Sequence, residues 1–368
     1  MRIGIPREIK SGENRVALTP EGARVLLSEG CEIVVETGAG AASGFPDDSY
    51  RQAGAGIVSA DDAWASDLVV KVKEPVPSEF PLFSGSAALF TYLHLAAAPG
   101  LTEELLRRRV TAIAYETVTF EGGLPLLRPM SEVAGILSIQ VGARGLERSC
   151  GGRGVLLPPV WGNVPGNVLV LGAGVAGRAA ARVATGFGAK VTVLDMNREK
   201  LLLADQECGH RVRTAVSEPG TLTGALREAD LVVSAVLLTG ERAPRVLTRE
   251  MLRTMRPGAV VVDISIDQGG AFETSRPTTH DAPYYVEEGI VHYCVTNMPA
   301  AVPRTSTMAL TAATLPYLRS FARSGVIGAL REDPGLLAGL NTWDGNVTCP
   351  GVAKASGRPY VPPERALQ

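Results

Sequence analysis

The chain reads as an α/β protein built from two doubly wound parallel sheets, the second domain inserted into the first. Three observations predict this. Short apolar runs alternate with helical patterns along most of the 368 residues, as expected of parallel sheets covered by helices. A glycine turn, Gly172, Gly174 and Gly177, lies between an apolar run and an Ala-rich helical pattern. Two long helical patterns flank the segment that carries this turn, as they would where one domain leaves another and returns to it.

In the first third, strands are expected at Arg2–Ile5, Glu32–Val35, Leu68–Val72, Ala88–Thr91 and Ala112–Tyr115, with helices such as Pro20–Glu29 and Leu101–Arg109 between them. Met130–Glu147 reads as a long helix, with Ser131 able to cap it and Glu132 near its positive end. A second set of strands follows at Val168–Leu171, Val191–Leu194, Leu231–Ala235 and Val260–Ile264. After Pro303 the chain turns helical through Thr305–Ser324, and a Gly- and Pro-rich tail closes it. The simplest division takes 1–125 with 303–368 as one discontinuous domain and 126–302, with its hinge helices, as the insert. Active sites often lie in the cleft between such domains.

Composition removes several function classes. The chain is 45% hydrophobic and 20% charged, with a formal net charge of −2. No basic excess points to nucleic acid, and no apolar run approaches the roughly 20 residues of a membrane span. The N-terminus, MRIGIPREIK, lacks an apolar signal core, so a cytoplasmic location is expected. Cys31, Cys150, Cys208, Cys294 and Cys349 are scattered and form no CxxC pair. Neither a disulfide framework nor a metal site is expected.

The glycine turn carries the first chemical reading. In NVLVLGAGVAGRAAARVATGFGAKVTVLD, Gly172 permits the tight strand-to-helix turn and Gly174 lets a pyrophosphate approach the backbone. Gly177 allows the helix to pack closely on the strand. The helix N-terminus presents free N–H groups to phosphate. Asp195 ends the next strand, where a carboxylate can accept hydrogen bonds from both hydroxyls of an adenosine ribose. A 2′-phosphate there would meet like charge. The reading is a Rossmann-like domain that binds NAD rather than NADP.

Polar residues that interrupt apolar strands supply the second reading. In LVVKVKEP two lysines alternate on one strand face. An exposed edge accounts for Lys71 as well as a site does, whereas Lys73 stands at the strand's C-terminal end, where α/β sheets place their sites. His94, one of four histidines, follows ALFTYL; spacing alone favours a satisfied core histidine. Asp267 lies just past VVVDISI, and Asp263 within that run reads as structural. Arg15 lies in a polar loop before a helix, and its planar fork suits a carboxylate.

At this point the residues resemble the alanine dehydrogenase family, which shares its fold with part of the transhydrogenase α subunit. PREIKSGENRVALTP, VKVKEP, LFTYLHLAA, AIAYETV, PLLRPMSEVAG, GGRGVLL, LGAGVAGRAAA, VDISIDQGGAFETSRPTTH and NMPAAVPRTST carry the likeness, in order, over nearly the whole chain. The resemblance implies NAD-dependent oxidative deamination of L-alanine to pyruvate and ammonia, the reverse reductive amination, and usually a homohexamer. By position it implies that Arg15 and Lys73 bind the substrate carboxylate and carbonyl oxygen, and that Glu116 lies near the substrate. It makes His94 and Asp267 the acid/base pair. Ser131, Asp195, Lys200, Ser217, Val236, Leu237, Ile264, Asp267, Asn297 and Met298 fall at cofactor positions.

Four places depart from the family pattern. Ile136 stands where Arg is common, and PPVWGNV, Pro158 to Val164, stands where GGVPGV is usual. Met308 and Ala312 replace Tyr and Asn. These changes leave open another amino-acid substrate, such as a lysine-type one whose product could cyclise. A reading from another class is a non-catalytic NAD-binding subunit like the transhydrogenase portion, which gives no reason to keep Arg15, Lys73 and His94 together.

Overall fold

A computed structural model describes residues 1–236 and 243–368. The chain divides into two compact units, Met1–Met130 with Ala300–Gln368, and Ser131–Pro299. The boundaries expected from sequence, 125/126 and 302/303, differ from these because packing, not the end of an element, sets the divide. The first falls inside the helix Arg128–Gly145, and the second inside the short 3₁₀ turn Met298–Ala301.

In chain order the strands are β1 (Arg2–Ile5), β2 (Glu32–Glu36), β3 (Gly56–Val58), β4 (Leu68–Val70), β5 (Ala88–Thr91), β6 (Thr111–Ala114), β7 (Asn167–Leu171) and β8 (Lys190–Asp195). They continue as β9 (Arg213–Val216), β10 (Leu231–Ser234), β11 (Val260–Asp263), β12 (Tyr284–Glu287), β13 (Ile290–Tyr293), β14 (Leu340–Trp343) and β15 (Asn346–Val347). In the first unit the sheet order is β15-β14-β6-β5-β4-β1-β2-β3, parallel from β6 to β3, with antiparallel β14 and β15 at one edge. In the second unit it is β12-β13-β11-β10-β7-β8-β9, parallel except for the β12–β13 hairpin.

Each parallel run therefore starts at its centre, winds outward one way, then returns to wind the other way. The reversal falls between β1 and β4 in one unit and between β7 and β10 in the other. Doubly wound sheets bind ligands outside the carboxyl ends of the strands at this reversal. The strands there are buried along their length: VVVD of β11, LVVS of β10 and LVV of β4 show no exposed position. Such continuous apolar runs suit sheets covered on both faces.

Several elements differ from expectation. The helix expected at Met130–Glu147 begins earlier, at Arg128. Ser131 thus lies inside its first turn and is not the cap. The helix expected at Thr305–Ser324 runs from Pro303 to Glu332, interrupted at Gly325, where φ is 69°. β3, at two to three residues of apolar run, and β9 and β12 to β15, which are short and mix polar with apolar residues, are not separated from loop by the sequence reading. β4 ends at Val70 rather than Val72. The Lys71 N–H still bonds Phe90 O at 3.1 Å, but the Val72 N–H turns to a carboxylate, Glu8 Oε1, at 2.6 Å.

Candidate active site

In the first unit the loop after β1 carries Arg15, the segment after β4 carries Lys73, and the turn after β5 carries His94. All three leave carboxyl ends of neighbouring parallel strands, on either side of the β1–β4 reversal.

Arg15 is 2% exposed. Its fork meets Glu13 bidentately, Nε to Oε1 at 2.7 Å and Nη2 to Oε2 at 2.6 Å, and its Nη1 contacts Met130 Sδ at 2.9 Å. Burial opposes the guanidinium charge, but the Glu13 carboxylate outweighs it and holds the Arg15 pKa above its ordinary value. The loop closes onto the C-terminal segment of the same unit. Val16 N–H donates to Thr307 Oγ1 at 3.1 Å, and Ser43 Oγ lies 3.0 Å from the same hydroxyl. Thr19 then caps the helix Pro20–Ser28 by accepting from Gly22 N–H at 3.1 Å. Thr307 and Ser43 position the Arg15 loop, and sequence reasoning missed both. The TST stretch sits amid helical pattern, and its partners lie 264 and 291 residues away.

Lys73 is half-buried, and its carbonyl accepts from Thr91 Oγ1 of β5 at 3.1 Å. Beside it, Lys10 pairs with Glu74. Lys71 does not lie on an exposed edge. β4 is an inner strand, and the Lys71 ammonium is wholly buried between Glu8 and Glu79.

His94 is not a core histidine, since its side chain is 44% exposed. It sits in the left-handed region at φ 50°, an arrangement that costs a non-glycine residue about 1–3 kcal/mol. Glu116, just past β6, offsets that strain. One of its oxygens accepts from His94 N–H at 2.6 Å, and both accept from Leu93 N–H at 3.2 Å. The imidazole stacks on the Tyr92 ring at 6.0 Å, 7° from parallel, with its Nδ1 3.9 Å from Glu116 Oε1. Glu116 is therefore a clamp on the histidine's backbone.

In the second unit the turn after β7 has the geometry a dinucleotide requires. Gly172 holds φ at 97°, and a Cβ there would lie 2.8 Å from Ala235 O. A Cβ on Gly177 would lie 1.8 Å from Gly172 O, so only glycine lets this helix pack on its own turn. A Cβ on Gly174 would meet nothing within 4 Å, so the space beside it is open. Gly174 begins the helix Val175–Gly186 with no side-chain cap, leaving first-turn N–H groups for an anion. Asp195 is held from two sides: its Oδ2 accepts from Ala173 N–H at 2.6 Å and its Oδ1 from Asn197 N–H at 2.8 Å. Each oxygen keeps a further lone pair for a ribose hydroxyl. These residues fit a dinucleotide.

The other expected cofactor residues are spread over the same end of this sheet. Ser217 N–H donates to Asp195 O at 3.0 Å, and Lys200 is exposed on the helix Arg198–Glu207, which Asn197 caps. Val236 follows β10, and its carbonyl accepts from Ser265 Oγ at 2.6 Å. Ile264 and Asp267 lie in the 3₁₀ turn after β11, Ile264 half-buried and Asp267 exposed. Both Asp267 oxygens accept from Asn297 N–H, at 3.1 and 3.2 Å, and Asn297 holds φ at 56°. Met298 is buried and Ser131 half-buried. Leu237 lies outside the described residues. Asp263 is wholly buried and accepts from Ser265 N–H, Ala271 N–H and Ser275 Oγ at 3.0, 2.7 and 2.5 Å. It fixes the turn that carries Asp267.

The departures fall outside these groups. Trp161 is fully exposed, beside exposed Val160 and Val164. Met308 and Ala312 line a surface groove of about 530 Å³ with Phe45 and Arg304. Ile136 is half-buried on its helix. Among the described residues no cluster of three or more His, Cys, Asp or Glu could hold a metal ion, and no helix is long and apolar enough to cross a membrane.

Comparisons with known proteins cover the whole chain. The family model described as alanine dehydrogenase/PNT matches in two parts, its N-terminal domain at residues 4–134 and its C-terminal domain at 138–350. Alanine dehydrogenase of Bacillus subtilis (strain 168) is 50% identical over 370 aligned positions, covering 100% of this chain and 98% of that protein. A solved L-alanine dehydrogenase superposes with a TM-score of 0.93 at 49% identity, covering 96% of this chain and 99% of that one. A transhydrogenase structure from Sinorhizobium meliloti gives 0.82 at 25% identity, over 95% and 99%.

Proposed function

Because the chain belongs to the alanine dehydrogenase/PNT family, we propose that it catalyses the NAD-dependent oxidative deamination of L-alanine to pyruvate and ammonia, and the reverse reaction. The observation that carries this reading is that Arg15, Lys73 and His94 follow the carboxyl ends of β1, β4 and β5, neighbouring parallel strands at the reversal of the sheet. Arg15, Lys73 and His94 are what a small amino acid needs, and a nucleotide-binding subunit without chemistry has no use for them. Alanine dehydrogenases are also about twice as identical to this chain as the transhydrogenase is, 49% against 25%.

Gly172, Gly174 and Gly177 with the helix N-terminus hold the pyrophosphate of NAD, and Asp195 holds its adenosine ribose. Ser131, Lys200, Ser217, Val236, Leu237, Ile264, Asn297 and Met298 make up the rest of the cofactor set. Bound NAD supplies the acceptor for the hydride that leaves the substrate Cα. The chain's residues do the remaining work. Arg15 and Lys73 fix the carboxylate and so orient the Cα–H bond, and their charge favours the deprotonated amine before oxidation. Loss of the hydride leaves an iminium at Cα. His94 takes the proton of the water that adds to it, returns that proton to the nitrogen of the resulting carbinolamine, and accepts the carbinolamine hydroxyl proton as the C–N bond breaks, so that ammonia leaves and the carbonyl of pyruvate forms. In reverse, Lys73 polarises the ketone oxygen of pyruvate. The family resemblance gives Asp267 the role of the carboxylate that balances the positive charge developing in either direction. Glu116 serves by holding His94. A cytoplasmic homohexamer completes the reading, supported by the family resemblance.

Cofactor choice tests it. Like charges placed together cost several kcal/mol, and each 1.4 kcal/mol is tenfold. With alanine as substrate, kcat/KM for NAD is expected to exceed that for NADP by about 100-fold or more, and Asp195→Ala is expected to narrow the gap. Equal kcat/KM for the two cofactors in the unaltered enzyme would refute the role given to Asp195.

A further inference from the structure

Lys71, Glu8 and Glu79 take no part in the chemistry above, yet they are among the most deeply buried charges in their unit. The Lys71 side chain is 0% exposed, with Glu8 and Glu79 at 2% and 5%. Its Nζ donates to Glu8 Oε2 at 3.1 Å and to Glu79 Oε1 at 2.8 Å, and it lies 5.8 Å from the centre of the Trp64 ring. Burial opposes the ammonium, but the two carboxylates outweigh it and hold the Lys71 pKa above its ordinary value. Burial, with Glu13 nearby, pushes the Glu8 carboxyl up against the pull of Lys71. A buried ion group of this kind is weak as a source of stability, because well-packed apolar residues often do as well. Its second set of bonds suggests another purpose.

Each glutamate spends its other oxygen on main chain. Glu8 Oε1 accepts from Val72 N–H at 2.6 Å, and Glu79 Oε2 accepts from Val76 N–H at 2.8 Å. These two donors bracket Lys73, in the stretch where β4 has ended and the ladder to β5 gives way to a side-chain bond from Thr91 Oγ1 to Lys73 O. Glu8 also lies in the loop that leads from β1 to Arg15. The Lys71 ammonium thus orients both carboxylates, and through Glu8 it joins the Arg15 loop to the Lys73 segment.

We propose that the Glu8–Lys71–Glu79 triad is a positioning device that sets the spacing between Arg15 and Lys73, so that both reach one small 2-oxo or 2-amino acid at once. This rests on the reading of Arg15 and Lys73 as substrate-binding residues. The three are positioning residues, acting through Lys73 and the Arg15 loop without touching substrate.

Glu8→Gln tests the triad. The amide keeps an acceptor for Val72 N–H and removes the charge that orients Lys71. A displacement of about 1 Å at a positioned group can cost 10²-fold. KM for pyruvate is expected to rise about 10- to 100-fold, with a smaller fall in kcat and with NADH affinity, read by fluorescence, unchanged. Glu79→Gln, which loosens the other end of the segment, is expected to show the same selective rise. A triad that serves only stability would lower Tm and leave KM unmoved. An unmoved KM in either folded variant overturns the proposal, and so does failure of both variants to fold, which would assign the triad to folding. Unaltered enzyme that turns over neither alanine nor pyruvate refutes the functional reading instead.

Discussion

Replacing His94 by alanine is expected to lower kcat for alanine oxidation by about 10²–10⁴, the usual range for a lost general acid/base. NAD affinity should be retained, because the glycine turn and Asp195 belong to the other unit. The structure makes this a clean test. The imidazole is 44% exposed and is not packed into the core, so truncation opens no large cavity. The strained φ of 50° at this position is held by Glu116 through main-chain N–H groups, which alanine keeps. Thermal stability should therefore change little while turnover collapses. A folded His94→Ala enzyme with full kcat would remove the histidine from the reaction.

Substitution of Arg15 is expected to have the next largest effect, and the structure changes how it should be done. Arg15→Ala would take the bidentate partner from a Glu13 side chain that is 0% exposed. Breaking a buried pair from one side costs about 3–5 kcal/mol, so the variant is expected to lose much of its stability along with its activity. Arg15→Lys keeps the charge beside Glu13 and removes the planar fork. Loss of a charge-assisted pair to a carboxylate costs about 1.5–3 kcal/mol, or roughly 10- to 150-fold. KM for pyruvate in the lysine variant is expected to rise within that range, with the fold and NADH binding intact. Near-unaltered KM in a folded Arg15→Lys enzyme would show that the guanidinium serves Glu13 and not the substrate.

Much of the fold could be read from the chain because its inner strands are continuous apolar runs and its glycines stand at fixed intervals. VLVL before Gly172 and VTVL before Asp195 need no partner to be recognised. The short, half-polar strands carry less signal. RTAV of β9 and LNTW of β14 are half polar, and pairing with a neighbour is what makes them strands. Ser131 misled as a cap because a helix start depends on main-chain bonds that the LPLLRP stretch does not announce.

For the site, sequence position located the strand ends but not the contacts made there. Lys71 and Lys73 lie two residues apart just past β4, yet one ammonium is wholly buried and the other residue only half-buried. The difference comes from Glu8, 63 residues from Lys71, and Glu79, eight away. His94 in an apolar run looked like a core residue. The left-handed turn that brings it to the surface depends on a carboxylate 22 residues further on. Thr307 and Ser43, which hold the Arg15 loop, carry no local signal at all.

The central claim is that this chain oxidises L-alanine with NAD, and one measurement addresses it directly. The purified enzyme is given NAD and a panel of L-amino acids from glycine to lysine, and the absorbance of reduced nicotinamide is followed. Turnover is expected with alanine, at a kcat/KM above that of every larger side chain and dependent on Arg15, Lys73 and His94. No turnover with alanine, or a clear preference for lysine, would contradict the account.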